Sequence, residues 1–146
     1  MGLQFKQVAV ELRTIIDDNG QMEYNTVKQP GKFYQKGKLD VLTFEEELEG
    51  QGVTDNLITI QSDKVTIKRT GLVKMNQKFT ENGTTENLYH HPHGKIHMET
   101  YTNSIFYQSV DEADTGYLKI SYHVKLNGQE ERKHQLELII TEEESK

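Results

Sequence analysis

The sequence predicts an all-β protein: a single closed, antiparallel, up-and-down β-barrel of about eight to ten strands. Three observations carry that reading. Apolar residues recur with period two rather than 3.6. Turn dipeptides interrupt the chain at short, regular intervals. No stretch has the apolar stripe of an amphipathic helix. Closure into a barrel would remove the bare strand edges that such a meander otherwise leaves.

The elements follow in order. Val8, Val10, Leu12 and Ile16 alternate with Gln7, Glu11 and Arg13, which makes a first strand. Asp18-Asn19-Gly20 turns the chain into a weaker strand over 22–27. Phe33-Tyr34, a turn at Lys36-Gly37 and residues 39–48 form a second pair. Residues 57–61 and 65–69, joined at Ser62-Asp63, form a third. Val73, Met75 and Phe79 lead to the hairpin dipeptide Asn82-Gly83. Segments 88–91 and 94–107 come next. Within the latter, Asn103-Ser104 moves the apolar parity from Ile96 and Met98 to Ile105 and Tyr107, as a bulge or bend would. The clearest strand is 117–126. Leu118, Ile120, Tyr122, Val124 and Leu126 share one face; Tyr117, Lys119, Ser121, His123 and Lys125 share the other. Asn127-Gly128 reverses it, and Leu136, Leu138 and Ile140 return on one parity.

Residues 1–146 read as one domain, with 142–146 as a frayed acidic tail. Hydrophobic residues make up 34% of the chain and charged residues 27%, which suits strands with one wet face. The net charge of −6 disfavours nucleic acid as a partner. The lysines (Lys6, Lys28, Lys32, Lys36, Lys38, Lys64, Lys68) read as scattered, solvating residues interleaved with acids. The absence of cysteine removes disulfides, thiolate catalysis and Cys-based metal sites. The segment Met1-Gly2-Leu3-Gln4-Phe5-Lys6 lacks the apolar run of a signal peptide. No run approaches the ~18 apolar residues of a spanning helix. Lys, Glu and Gln on the second face of each strand argue against an outer-membrane barrel. A cytoplasmic location with no membrane partner is the expectation.

Arg69 is the most informative position, because it shares parity with Val65 and Ile67. A buried guanidinium needs a partner, and Glu45, Glu46 and Glu47 are the candidates. Either Arg69 anchors a ligand carboxylate or phosphate, or it is half of a structural ion pair. Tyr122, on the apolar face of its strand, and Tyr89 could line a pocket around it, or could simply bond locally. The histidines His90, His91, His93 and His97 are dense, but adjacent strand residues face opposite sides, so the spacing suits polar turn residues better than a metal site. The serines sit in no nucleophile elbow, and no Gly-rich phosphate loop opens a helix. No catalytic residue, cofactor or metal site is assigned on these patterns.

Four motifs carry a resemblance that runs the length of the barrel: Phe44-Glu45-Glu46; Arg69-x-Gly71 followed by Met75 and Phe79; Tyr89-x-x-Pro92-x-Gly94; and Gly116-x-Leu118-x-Ile120-x-Tyr122. In their order and spacing the chain resembles the small, uncharacterised bacterial proteins of the YwiB type. That resemblance implies a calycin-like, lipocalin-like barrel and no established activity, cofactor or partner. The chain departs from true lipocalins in having no tryptophan and no possible disulfide. His91 and His93 stand where the motif would hold Thr and an aromatic residue.

The expected function is therefore binding of a small anionic or amphipathic molecule inside the barrel. Arg69 would be the anchor, Glu46 its neighbour, and Tyr122 and Tyr89 the wall. The rivals are a protein-interaction module with a filled barrel, presenting Tyr101, Ile105 and Tyr107 as a patch, and an enzyme built on a Glu45 or Glu46 pair with Arg69.

Overall fold

A computed structural model describes residues 5–48, 52–71, 73–92, 94–110 and 115–143. Ten strands follow one another: β1 (Phe5–Asp18), β2 (Gln21–Lys36), β3 (Leu39–Leu48), β4 (Gly52–Ile60), β5 (Lys64–Thr70), β6 (Lys74–Thr80), β7 (Gly83–His91), β8 (Gly94–Gln108), β9 (Thr115–Leu126) and β10 (Arg132–Glu142). Each pairs antiparallel with its neighbours in sequence, and β1 pairs with β10 to close the barrel. That is two strands more than the eight of a lipocalin barrel.

The turn chemistry works as the residues dictate. Asn19 and Gly20 take φ of 53° and 91°, and Asn127 and Gly128 take 51° and 71°. Positive φ at both central positions is the hairpin turn whose twist matches the flanking strands. At Asn82-Gly83 the outcome differs: Asn82 alone has positive φ (60°), and Gly83 already belongs to β7. The β8–β9 register slips between Thr102 and Ser104, so Asn103 is the extra residue of a bulge.

Two expectations are corrected. The segments around 22–27 and Phe33-Tyr34 are one strand of 16 residues, β2, which runs through Pro30 and Gly31. The β2–β3 ladder begins only at Gly31, paired with Phe44, so beside Pro30 no β3 partner is lost for want of an N–H. Gly31 is needed at the point of divergence: a Cβ there would lie 2.8 Å from the Thr43 carbonyl oxygen and 2.9 Å from Val10 Cγ2. The acidic end is also held further than a frayed tail would be. Glu142 pairs with Val8, and the Glu143 N–H donates to the Gln7 carbonyl at 3.0 Å. Residues 144–146 lie outside the described residues.

The inward parity of every strand fills the interior, but unevenly. At the end that carries the β2–β3, β4–β5, β6–β7 and β8–β9 connections, Val8, Phe33, Leu42, Ile60, Val65, Phe79, Leu118 and Ile140 pack into one buried cluster. This end is the base. At the opposite end, the mouth, inward positions carry Glu46, Thr54, Asn56, Arg69 and Asn87. Two ladders are short. β2 and β3 pair only over 31–36 with 39–44, and between β6 and β7 the one ladder pair is Lys74 with His90. The barrel is thus a four-stranded sheet, β3–β6, joined to a six-stranded one along two incomplete seams.

Candidate functional site

Strand alternation decides which of the three consecutive glutamates meets Arg69. Glu45 and Glu47 face out and are exposed, whereas Glu46 faces in and is buried. The registers place Phe44 opposite Asn56 and Asn56 opposite Arg69, so Glu46 reaches diagonally across β4. Its Oε1 accepts from Asn56 Nδ2 at 3.0 Å and from Arg69 Nη2 at 3.4 Å. The Arg69-x-Gly71 motif has a mechanical basis here. A Cβ on Gly71 would lie 2.8 Å from Thr54 Oγ1 and 2.9 Å from the Val53 carbonyl oxygen, so only glycine lets the end of β5 lie this close to β4.

The Arg69 pairing is incomplete. One Nη2 contact at 3.4 Å is long for a charge-assisted bond, and it is not the bidentate fork that an arginine can form. Arg69 Nε is buried and has no acceptor among the described residues. Leaving a buried donor unmade costs about 1–3 kcal/mol. The Arg69 side chain keeps 26% of its surface in contact with solvent, towards a cleft of about 580 Å³ at the mouth. Thr14, Ile16, Glu23, Tyr24 and Asn25 of β1 and β2 form its other wall.

A second cleft, of about 620 Å³, lies along the poorly paired β6–β7 seam. Its walls include residues of both parities: outward Lys74, Lys78, Glu86 and His90, and inward Arg69, Met75 and Asn87. It therefore cuts into the barrel wall. Asn87 contributes the largest surprise, because its Nδ2 and Oδ1 are both buried and neither has a partner among the described residues. Leu88 marks this strand as apolar in the sequence, yet Leu88 faces out at 46% exposure and Asn87 faces in. The β7–β8 register explains it: Asn87 pairs with Met98 and Tyr89 with Ile96, and those two residues fix the inward face. The available sequence signal was the charge of Glu86 and His90, which share Leu88's parity.

Of the four predicted site residues, Glu46 and Arg69 come together. Tyr122 and Tyr89 do not join them: neither lines either cleft that Arg69 lines. Tyr122 is buried in mid-barrel on β9, with its ring edge-on to Phe79 (4.8 Å between centroids) and beside the His134 ring (5.1 Å). Burial pushes its hydroxyl pKa well above the ordinary tyrosine value. His134, cross-strand from Tyr122, is pushed down to about 4, mainly by burial and further by the charges of Arg132 and His123. Phe79, Tyr122 and His134 thus form a row of ring contacts running from the packed base into mid-barrel. Tyr89 is half-buried on β7.

The interaction patch is not assembled. The bulge at Asn103 turns Ile105 and Tyr107 inward against the core, and Tyr107 Oη donates to Asp40 Oδ2 at 2.7 Å. Only Tyr101 of that trio faces out, at 37% exposure. Among the described histidines, His90 is exposed and His97 Nε2 lies 3.8 Å from Glu86 Oε2 on the outer surface. His93 lies outside the described residues. No group of three or more His, Asp or Glu side chains converges among the described residues. No helix there is long and apolar enough to cross a membrane.

Comparison with known proteins gives the same architecture. The model of a family described as a domain of unknown function, DUF1934, matches residues 10–138. The uncharacterised β-barrel protein YwiB of Bacillus subtilis (strain 168) is 26% identical over 129 residues, which covers 88% of this chain and 89% of that protein. The crystal structure of the ywiB protein from Bacillus subtilis superposes with a TM-score of 0.86 at 22% identity, over 97% of this chain and 96% of that one.

Proposed function

The chain belongs to the DUF1934 family, and from that premise we propose that its β-barrel binds a small anionic or amphipathic molecule in its interior, reached through the β6–β7 cleft, with Arg69 as the anchor. One observation carries the proposal. Arg69 Nε and the Asn87 side-chain amide are buried without partners, and both residues line the β6–β7 cleft. Buried polar groups in a folded protein are normally hydrogen-bonded to protein, water or ligand. Here an N–H donor on a guanidinium and an amide with one donor and one acceptor side await the same occupant. A carboxylate or phosphate oxygen suits Arg69, and a neighbouring polar group on the ligand suits Asn87. Met75 supplies a deformable apolar wall for the ligand's body. Glu46 acts as a positioning residue: it holds one face of the guanidinium and leaves Nε turned away. A cytoplasmic location belongs to the same proposal.

Thermal melts against a panel of small carboxylates and organic phosphates test it. A ligand at a hundred times its Kd adds about 2.7 kcal/mol to stability, which is roughly 8 °C in Tm for a domain of this size. One class of anion is expected to raise Tm, and Arg69→Met is expected to abolish that rise while leaving the unliganded Tm within roughly 3 °C, about 1 kcal/mol. A panel in which nothing shifts Tm, or a shift that survives in Arg69→Met, overturns the proposal.

A further inference from the structure

The outer face of the β5–β6 hairpin carries a row of four lysines. Lys64, Lys68, Lys74 and Lys78 all point outward and are exposed. In the register, Lys64 lies opposite Thr80, Lys78 opposite Thr66, Lys68 opposite Asn76 and Lys74 opposite Thr70. Along the strand direction the four ammonium groups therefore alternate between the two strands, one every two residues. That spacing is roughly 7 Å, and the row runs for roughly 20 Å. Between them stand only hydroxyls and one amide: Thr66, Thr70, Asn76 and Thr80. None of the four lysines is in an ion pair among the described residues.

Several lysines elsewhere face a carboxylate across the ladder. Lys28 lies opposite Glu11 and pairs with it at 3.7 Å. Lys119 lies opposite Glu137, Lys125 opposite Glu99, and Lys133 opposite Asp17. The carboxylates Asp55, Asp63, Glu81 and Glu86 border the β5–β6 row without entering it. In a chain of net charge −6, four cations thus stand on two adjacent strands with no carboxylate between them. Charges more than about 8 Å away are largely screened at physiological salt, so acids beyond the four that border the row act on it only weakly.

We infer that this face docks the phosphate backbone of a nucleic acid, without reading its sequence. A row of point-charge ammonium groups interleaved with hydroxyl and amide donors is the chemistry of phosphate contacts. The outward positions of β5 and β6 hold no arginine fork for carboxylates and no aromatic ring for base stacking. The expectation drawn from net charge averaged over the whole chain what the hairpin register separates. Lys68, Lys74 and Lys78 also line the outer rim of the β6–β7 cleft, so the row adjoins the proposed ligand site; Arg69→Met, which leaves the row intact, tells the two readings apart.

Fluorescence anisotropy of the full chain tests the inference, with labelled RNA and DNA oligonucleotides, single-stranded and duplex, at 50 mM salt and above. Binding is expected, with a log–log salt slope of about −3 for four phosphates neutralised. Lys68→Glu/Lys78→Glu should weaken it at least tenfold. The control Lys119→Glu/Lys133→Glu changes net charge equally and should weaken it less than threefold. Melting curves check that both variants remain folded. Absence of binding at 50 mM salt overturns the inference, and so does equal loss in the two double variants. A glutamate-rich peptide that competes as well as the oligonucleotides overturns it in favour of an acidic polypeptide partner.

Discussion

The two ends of this barrel are built from the same alternating strands, yet they solve opposite problems. At the base, inward positions are mostly Val, Leu, Ile and Phe, which close into a buried cluster with the buried Thr102 beside it. At the mouth, the inward positions of β3, β4, β5 and β7 include Glu46, Asn56, Arg69 and Asn87, and three polar atoms of these residues stay buried without partners among the described residues. The base gains stability from apolar burial. The mouth gives up part of that gain by keeping unpaired polar groups, the feature on which the proposed ligand site rests. The difference teaches that strand parity sets direction alone. What occupies the inward positions, level by level, separates the packed end from the polar one.

The sharpest way to break the comparison is to cut the base. Phe79→Ala removes a fully buried ring that packs edge-on against Tyr122, and it is expected to cost about 4 kcal/mol in urea unfolding. A loss under about 1 kcal/mol would mean that the base is not the tightly packed end.

Acid is expected to act at the boundary between the two ends. The folded protein keeps His134 neutral until pH falls to about 4, while the unfolded chain takes up that proton near 6.5. The unfolded state therefore holds more protons between those values. The stability from His134 is complete above pH 6.5 and is lost as pH falls towards 4. The loss is at most about 3 kcal/mol. Unfolding free energy measured across that window should fall more steeply in the parent than in His134→Gln; parallel slopes would show that the imidazole is not buried neutral.

The smallest effect should appear at the mouth, with the opposite sign. Asn87→Leu exchanges two unpartnered polar atoms for apolar ones, so it should stabilise the unliganded protein by about 1 kcal/mol. It should also weaken any anion that Arg69 captures. A destabilised Asn87→Leu would place Asn87 in a satisfied network and remove the functional reading of the mouth.

Much of the fold was legible in the residues. Tyr117 to Leu126 and the Asn127-Gly128 turn predict the β9–β10 hairpin, and the shift from Ile96 to Ile105 predicts the bulge. Parity placed Arg69 inward and, applied to Glu45, Glu46 and Glu47, selects the partner. Asn87 was hidden because its neighbour Leu88 is the apolar residue of the pair, and only pairing with β8 decides which faces in. The lysine row was hidden for a related reason: Lys64 and Lys78 are far apart in sequence and become neighbours only through the β5–β6 register.

By itself, then, the sequence determined the strands, their turns and the side of the sheet on which each residue falls, because these depend on alternation and turn chemistry within a few residues. The tertiary structure decided which strands meet fully and which part, that Arg69 is only half paired, and that one outer face collects unpaired cations. Those depend on register and closure between distant strands, where a shift of one residue exchanges the inside for the outside.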